Sequence, residues 1–445
     1  MHPDKPEALR ARKALPLKGS AALPGDKSIS QRALILGALA EGETRITGLL
    51  ESGDVHSTAG ALRAFGAELS RDGPGRWRVR GTGVGKWQSP KAPLDFGNSG
   101  TGSRLVMGAM ATTPITAVFT GDASLRSRPM ARVVEPLLAF GVRYEGQGPK
   151  ALMPLTLHGA AGAREVDYHV KIASAQVKSA LLLAMQNVAG ESSVTQDTLT
   201  RDHTEKMLKA FGGDVRVTPL ANGGERIDTR CAQLRGCEVE VPRDPSSAAF
   251  PLVAALIVPG SEISLPAILL NPRRTGLIET LLEMGADIRV SNRRVSGGEE
   301  IGDLLVRHSR LKGAIVPAAR APSMIDEYPI LAVAAAFAHG KTVMMGLEEL
   351  RVKESDRLAA ILAGLYANGV HAHESENNLT VEGMAKVPGD GLVKTHMDHR
   401  IAMSFLTLGL ASEKPVIVDD AAMIATSFPE YRDLMARLGA VMETV

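Results

Sequence analysis

Two kinds of apolar segment alternate along the chain. The first is a helix-length run, apolar around nearly its whole circumference, as in Ala180-Leu181-Leu182-Leu183-Ala184-Met185 and Leu331-Ala332-Val333-Ala334-Ala335-Ala336. Such a helix has no polar stripe to show to water, so it is predicted to be buried on all sides. Six are predicted, over residues 30–40, 102–111, 174–189, 246–258, 326–338 and 398–410. The second kind is amphipathic, as in Thr204-Glu205-Lys206-Met207-Leu208-Lys209-Ala210-Phe211, and stops at a glycine where a left-handed cap is wanted. The six stops, Gly66, Gly141, Gly212, Gly285, Gly369 and Gly439, lie 75, 71, 73, 84 and 70 residues apart. β-Branched runs such as Thr44-Arg45-Ile46-Thr47 and Pro415-Val416-Ile417-Val418 fall between the helices and predict strands. One supersecondary unit therefore occurs six times.

Buried inner helices surrounded by sheets and outer helices predict a compact α/β body, not an open solenoid. Residues 17–26 and 234–244 resemble each other and nothing else in the chain, each reading as a strand that runs into a proline turn and a helix. They bracket the first three copies, so they are read as paired crossovers between two three-copy lobes, with the N-terminal tail joining the second. The predicted division is 20–239 for repeats one to three, and 1–19 plus 240–445 for repeats four to six.

Composition narrows the function classes. At 445 residues the chain is too long for one ordinary core. Its 44% hydrophobic and 22% charged residues are those of a soluble globular protein, and its net charge of +2 provides no global field for nucleic acid or an anionic membrane. A polyanionic ligand would have to be held by local clusters. Cys231 and Cys237 are the only cysteines and are not at metal spacing, so neither a disulfide framework nor a zinc site is expected. Residues 1–18 are charged and Pro-bearing without an apolar core, so no secretory signal is expected there. No apolar run is long enough to cross a bilayer, and a soluble cytoplasmic monomer is expected.

The candidate chemistry sits in the loops. Pro24-Gly25-Asp26-Lys27-Ser28-Ile29-Ser30-Gln31-Arg32 delivers Lys27 and Ser28 to a helix N-terminus, with Arg32 one turn on. Free amides and the dipole there favour an anion, although an ordinary capped helix explains the segment equally well. Asn98-Ser99-Gly100-Thr101-Gly102-Ser103-Arg104 and Ala173-Ser174-Ala175-Gln176-Val177-Lys178 are equivalent helix starts whose small residues let a ligand approach the backbone. Arginines recur in the second loops, at Arg126, Arg128, Arg201, Arg351 and Arg357, and their planar forks suit carboxylate and phosphate. A solvated loop suffices for Arg126 and Arg351. Arg400, beside a buried helix, needs a partner. Asp326 and Glu354 supply carboxylates that read either as a cap and a surface ion pair or as a proton acceptor and donor amid cations. Gly81-Thr82-Gly83-Val84-Gly85-Lys86 lacks the spacing of a nucleotide-binding loop, and the pairs His371/His373 and His396/His399 lack a third metal ligand.

Together these motifs resemble the 5-enolpyruvylshikimate-3-phosphate (EPSP) synthase family, over essentially the whole chain after Leu17. The specific pieces are residues 24–32, 94–104, 121–130, 173–179, 200–206, 323–329, 349–357, 398–403 and 425–429; Leu350-Arg351-Val352-Lys353-Glu354-Ser355-Asp356-Arg357 resembles the bacterial class II branch. The resemblance implies the enolpyruvyl transferase fold, two lobes of three βαβαββ units each around buried parallel helices, closing on the substrate. It implies transfer of the enolpyruvyl group of phosphoenolpyruvate to the 5-hydroxyl of shikimate 3-phosphate by addition and elimination, with no metal or organic cofactor. It further implies that Asp326 accepts the hydroxyl proton, Glu354 protonates the methylene carbon, and Lys27 acts as acid and electrostatic clamp. Lys27, Gly100, Arg128, Gln176, Arg357 and Arg400 would contact phosphoenolpyruvate. Lys27, Ser28, Arg32, Ser174, Ala175, Gln176, Arg201, Asp326 and Lys353 would hold shikimate 3-phosphate.

The chain departs from the other branch, which carries a lysine where Ala425-Thr426-Ser427 stands, so one cationic phosphate contact is missing or supplied elsewhere. Gly100 is expected to leave room for the inhibitor glyphosate. Competing readings are weaker. UDP-N-acetylglucosamine enolpyruvyl transferase needs a loop cysteine absent from residues 121–130, and an RNA 3′-phosphate cyclase needs a nucleophilic histidine and an adenylate site. A non-catalytic scaffold would not concentrate arginines beside Asp326 and Glu354.

Overall fold

The protein is described here by a computed structural model covering residues 6–445. Residues 1–5 of the tail in which no secretory signal is expected lie outside the described residues. The chain divides into two compact units, Gly25–Val241 in one and the segments up to Pro24 and from Pro242 to Val445 in the other. Both are mixed α/β, with three copies of the repeat in each.

Every copy contributes one buried inner helix. In Gly25–Val241 these are Lys27–Leu39, Gly100–Met110 and Ala175–Met185; in the other unit they are Pro245–Ile257, Tyr328–Ala336 and His399–Gly409. The run Leu331 to Ala336 is wholly inaccessible to solvent, as its unbroken apolar circumference dictates. Five inner helices start on an Asp or Ser whose side chain accepts a backbone N–H of the first turn: Asp26, Ser99, Ser174, Asp244 and Asp398. The exception matters for the site. The helix predicted from 326 begins at Tyr328, with Pro329 in its first turn, where a missing N–H costs nothing. Asp326 is thereby excused from capping. The helix predicted over 174–189 stops at Met185, where the backbone N–H groups of Gln186, Asn187 and Val188 turn to the carbonyls three residues back, and Gln186 Nε2 takes the Leu182 carbonyl at 3.0 Å.

The outer, amphipathic helices end as the glycine spacing predicts. Gly66, Gly141, Gly212, Gly285, Gly369 and Gly439 all have positive φ, between 75° and 106°. An L-residue there would cost roughly 1–2 kcal/mol.

Among the described residues six four-stranded sheets, one per copy, share one order. In copy three, Asp167–Val170 runs parallel to Glu191–Gln196, which pairs antiparallel with Glu225–Arg230, itself antiparallel to Asp214–Pro219. Three copies borrow a strand. Glu238–Glu240 lies parallel to Glu43–Thr47 of copy one, and Lys18–Ser20 lies parallel to Glu262–Leu269 of copy four. In copy six the N-terminal strand Leu9–Arg12 inserts between Val416–Val418 and Val441–Thr444. The chain passes between units at Pro24/Gly25 and at Val241/Pro242, a few residues beyond the 19/20 and 239/240 that the sequence predicts. Among the described residues no helix is long and apolar enough to cross a membrane.

Candidate active site

In the unit of copies one to three, the chemistry-bearing residues lie at the starts of the inner helices. Lys27 opens the first, and its ammonium pairs with Asp54 Oδ2 at 3.0 Å. Asp54 is buried, and its second oxygen, Oδ1, meets no donor among the described residues. Ser28 follows in the same turn, and its carbonyl accepts from Arg32 Nη1 at 3.0 Å. Arg32 is buried; its Nε donates to Thr204 Oγ1 at 2.7 Å and its Nη2 to Ser179 Oγ at 2.8 Å. It thus fastens copy one to the two helices of copy three.

Ser174 spends its hydroxyl on the cap of its own helix, accepting from Val177 N at 3.4 Å, with Ala175 next in the first turn. Gln176 turns toward copy two. Its Oε1 accepts from Arg104 Nη1 at 2.5 Å and its Nε2 donates to Thr101 Oγ1 at 2.8 Å. Arg128 is buried beside that helix start, with Nη2 donating to Asn98 Oδ1 at 2.7 Å and to Ser124 Oγ at 3.0 Å. A methyl group added at Gly100 would stand 3.0 Å from Arg128 Nη1, so this glycine lets the guanidinium approach the helix. Arg201 sits half-buried after Thr200, whose carbonyl accepts from Lys178 Nζ at 3.4 Å. Lys178 is itself fully buried and paired with Glu205 at 2.6 Å.

In the other unit the charges converge on a single arginine. Arg357 is fully buried at the start of the helix Arg357–Ala367. Its Nε donates to Asp398 Oδ2 at 2.8 Å, its Nη1 to Asp326 Oδ1 at 3.1 Å, and its Nη2 to Glu354 Oε2 at 2.5 Å. Burial works against its charge, but Asp398, Glu354 and Asp326 more than offset this and hold its pKa above the ordinary arginine value. Asp326 and Glu354, remote in sequence, are therefore both held by one guanidinium.

Lys353 is half-buried and makes no ion pair among the described residues. Burial pushes its pKa below that of an ordinary lysine, against the upward pull of Asp326 and Glu354 and with Arg357 adding to the depression. Arg400, nine-tenths buried, finds the partner its position demands: Nη1 donates to Glu327 Oε1 at 3.3 Å and to the Asp326 carbonyl at 3.1 Å. Among the described residues its Nε and Nη2 donate to no acceptor. Arg126 is solvent-exposed and Arg351 pairs with Asp356 and Glu374 at the surface, so neither joins these groups.

Sequence reasoning did not single out Asp54, Glu327 and Asp398 as partners of the site cations. Asp398 carried a signal in lying two residues before Arg400, and Glu327 in lying about one repeat, 73 residues, from it. Arg104 lies within a motif of small residues that gives it no role by itself.

Known proteins resemble the chain over its length. Residues 11–435 match the model of the family described as EPSP synthase (3-phosphoshikimate 1-carboxyvinyltransferase). A 3-phosphoshikimate 1-carboxyvinyltransferase of Methylorubrum populi is 57% identical, covering 99% of this chain and 98% of its own. One from Cereibacter sphaeroides is 59% identical, covering 98% and 97%. The solved EPSP synthase of Acinetobacter baumannii is similar with a TM-score of 0.85 at 40% identity, over 99% of this chain and 100% of that one.

Proposed function

Because the chain belongs to the EPSP synthase family, we propose that its two groups of buried charge divide the work of that family's reaction. The reaction moves the enolpyruvyl group of phosphoenolpyruvate to the 5-hydroxyl of shikimate 3-phosphate and releases phosphate. The observation that carries the proposal is that Asp326 and Glu354 share Arg357. A proton acceptor for the hydroxyl and a proton donor for the methylene carbon are wanted on either side of the one bond being formed, and a common guanidinium keeps two carboxylates that close without repulsion.

In this reading Asp326 takes the proton of the attacking hydroxyl while Glu354 protonates the methylene carbon, forming a tetrahedral adduct. Glu354 recovers that proton as phosphate leaves, and Lys27 stabilises and protonates the departing phosphate oxygen. All three nitrogens of Arg357 donate to carboxylates and the side chain is fully buried, so it reaches phosphoenolpyruvate by releasing one of them. Loss of the guanidinium raises the proton affinity of Glu354, which suits a donor. Arg400, with Nε and Nη2 left without an acceptor among the described residues, is assigned to the phosphoenolpyruvate anion; Arg128, Gln176 and the backbone at Gly100 are assigned to that substrate by the family resemblance. Lys353, Ser28, Arg32, Ser174, Ala175 and Arg201 hold shikimate 3-phosphate. Substrates that bring two phosphates and two carboxylates call for this density of cations.

The test of the reaction is phosphate release from phosphoenolpyruvate with shikimate 3-phosphate or UDP-N-acetylglucosamine as acceptor. Release with the sugar nucleotide alone overturns the reading.

Two further expectations follow from the geometry. Lys353 has a depressed pKa, so it loses its charge at lower pH than an ordinary lysine. Its grip on the shikimate phosphate is thus present below that pKa and lost as pH rises through it. Lys353→Arg is expected to move the alkaline limb of kcat/KM for shikimate 3-phosphate to higher pH, because arginine stays charged; an unmoved limb excludes Lys353 as its source. Gly100→Ala, which crowds Arg128, is expected to weaken inhibition by glyphosate more than it raises KM for phosphoenolpyruvate. Inhibition curves at fixed phosphoenolpyruvate measure this, and a wild-type enzyme that glyphosate does not inhibit sinks it.

A further inference from the structure

Copy four provides none of the residues assigned above, yet it anchors a buried polar chain that ends on Arg400. Arg274 is 3% exposed, and its Nη2 donates to Asp244 Oδ1 and to Ser246 Oγ, each at 3.1 Å. The Ser246 hydroxyl donates to Glu327 Oε1 at 2.5 Å, and that same oxygen accepts from Arg400 Nη1 at 3.3 Å. Glu327 is 3% exposed, and its other oxygen, Oε2, meets no donor among the described residues.

A buried carboxylate satisfied on one oxygen is a poor stabilising device, since the bare oxygen has lost its water without replacement. What it does well is orient a guanidinium. A planar cation fixed at Nη1 by Glu327 and by the Asp326 carbonyl cannot swing, and the unused Nε and Nη2 then point in one direction.

We propose that Glu327 is a positioning residue for phosphoenolpyruvate: it aims Arg400, and Ser246 and Arg274 of copy four hold Glu327 in place. The inference rests on Arg400 being a phosphoenolpyruvate contact. Copy four then serves the reaction without touching a substrate.

The test is steady-state kinetics on Glu327→Gln, Ser246→Ala, Arg400→Gln and the double variant Glu327→Gln/Arg400→Gln, each substrate varied with the other saturating. Glu327→Gln is expected to raise KM for phosphoenolpyruvate about tenfold and Ser246→Ala about threefold, as coupled neighbours do. KM for shikimate 3-phosphate and Tm should hardly change, a split that general loosening of the fold would not produce. The double variant should be no worse than Arg400→Gln alone, because the carboxylate acts through the guanidinium. An additive double variant, or an unchanged KM for phosphoenolpyruvate in Glu327→Gln while Arg400→Gln raises it, overturns this inference alone. If Arg400→Gln leaves that KM unchanged, the contact itself is wrong and the inference falls with it. Should Glu327→Gln not fold, Ser246→Ala decides by the same criterion.

Discussion

Glu354→Gln is expected to leave the fold intact and to lower kcat by about 10²–10⁴-fold, the range that removal of a general acid–base group produces. Glutamine fills the same space and Arg357 retains Asp398 and Asp326, so the buried cation stays compensated. Alanine would be a poorer probe, because breaking a buried pair costs about 3–5 kcal/mol and would mix folding with chemistry. If Glu354 exchanges its proton with the methylene carbon, phosphoenolpyruvate incubated in heavy water with shikimate 3-phosphate takes up deuterium. The variant should lose that uptake along with turnover. Asp326→Asn is expected to show a comparable loss of kcat, since it removes the acceptor for the hydroxyl proton. Turnover within tenfold of wild type in both variants would end the acid–base assignment.

Lys27→Met is expected to be the most damaging change in the unit of copies one to three. It removes the charge assigned to the departing phosphate, an electrostatic contribution of about 10²–10³ in kcat for one such group. It also strands Asp54, buried and with Oδ1 already lacking a donor, so Tm should fall. The two effects separate in Lys27→Met/Asp54→Asn. There Tm should recover, because no unpaired carboxylate remains, while turnover stays low. Recovery of turnover together with Tm would mean that Lys27 serves only to neutralise Asp54.

Much of the site was legible as motif and little of it as geometry. The helix starts carrying Lys27, Gly100 and Gln176 stood out as small or polar residues opening apolar runs, and Arg400 as a cation in need of a partner. The partners did not stand out. Gln176 binds Arg104 and Thr101, 72 and 75 residues away, and Arg400 binds Glu327 at a separation of 73. These separations are close to one repeat length. Equivalent positions of successive copies become neighbours once their inner helices pack together, so the repeat spacing held a clue to the pairing that local motifs lacked. Asp54 and Asp398 lie off that register, 27 and 41 residues from the cations they hold.

Local patterns thus determined the sixfold unit, its wholly buried helices and the glycine at every outer-helix end. These depend on apolar periodicity and on backbone conformation, which a residue imposes on its immediate surroundings. Tertiary structure alone decided that copy six takes its missing strand from the N-terminus, that Asp326 stands clear of its helix, and that Asp326, Glu354 and Asp398 converge on Arg357. Ion pairs and strand insertion depend on which distant segments share a boundary, and that is set by burying apolar faces, not by the polar residues that meet there.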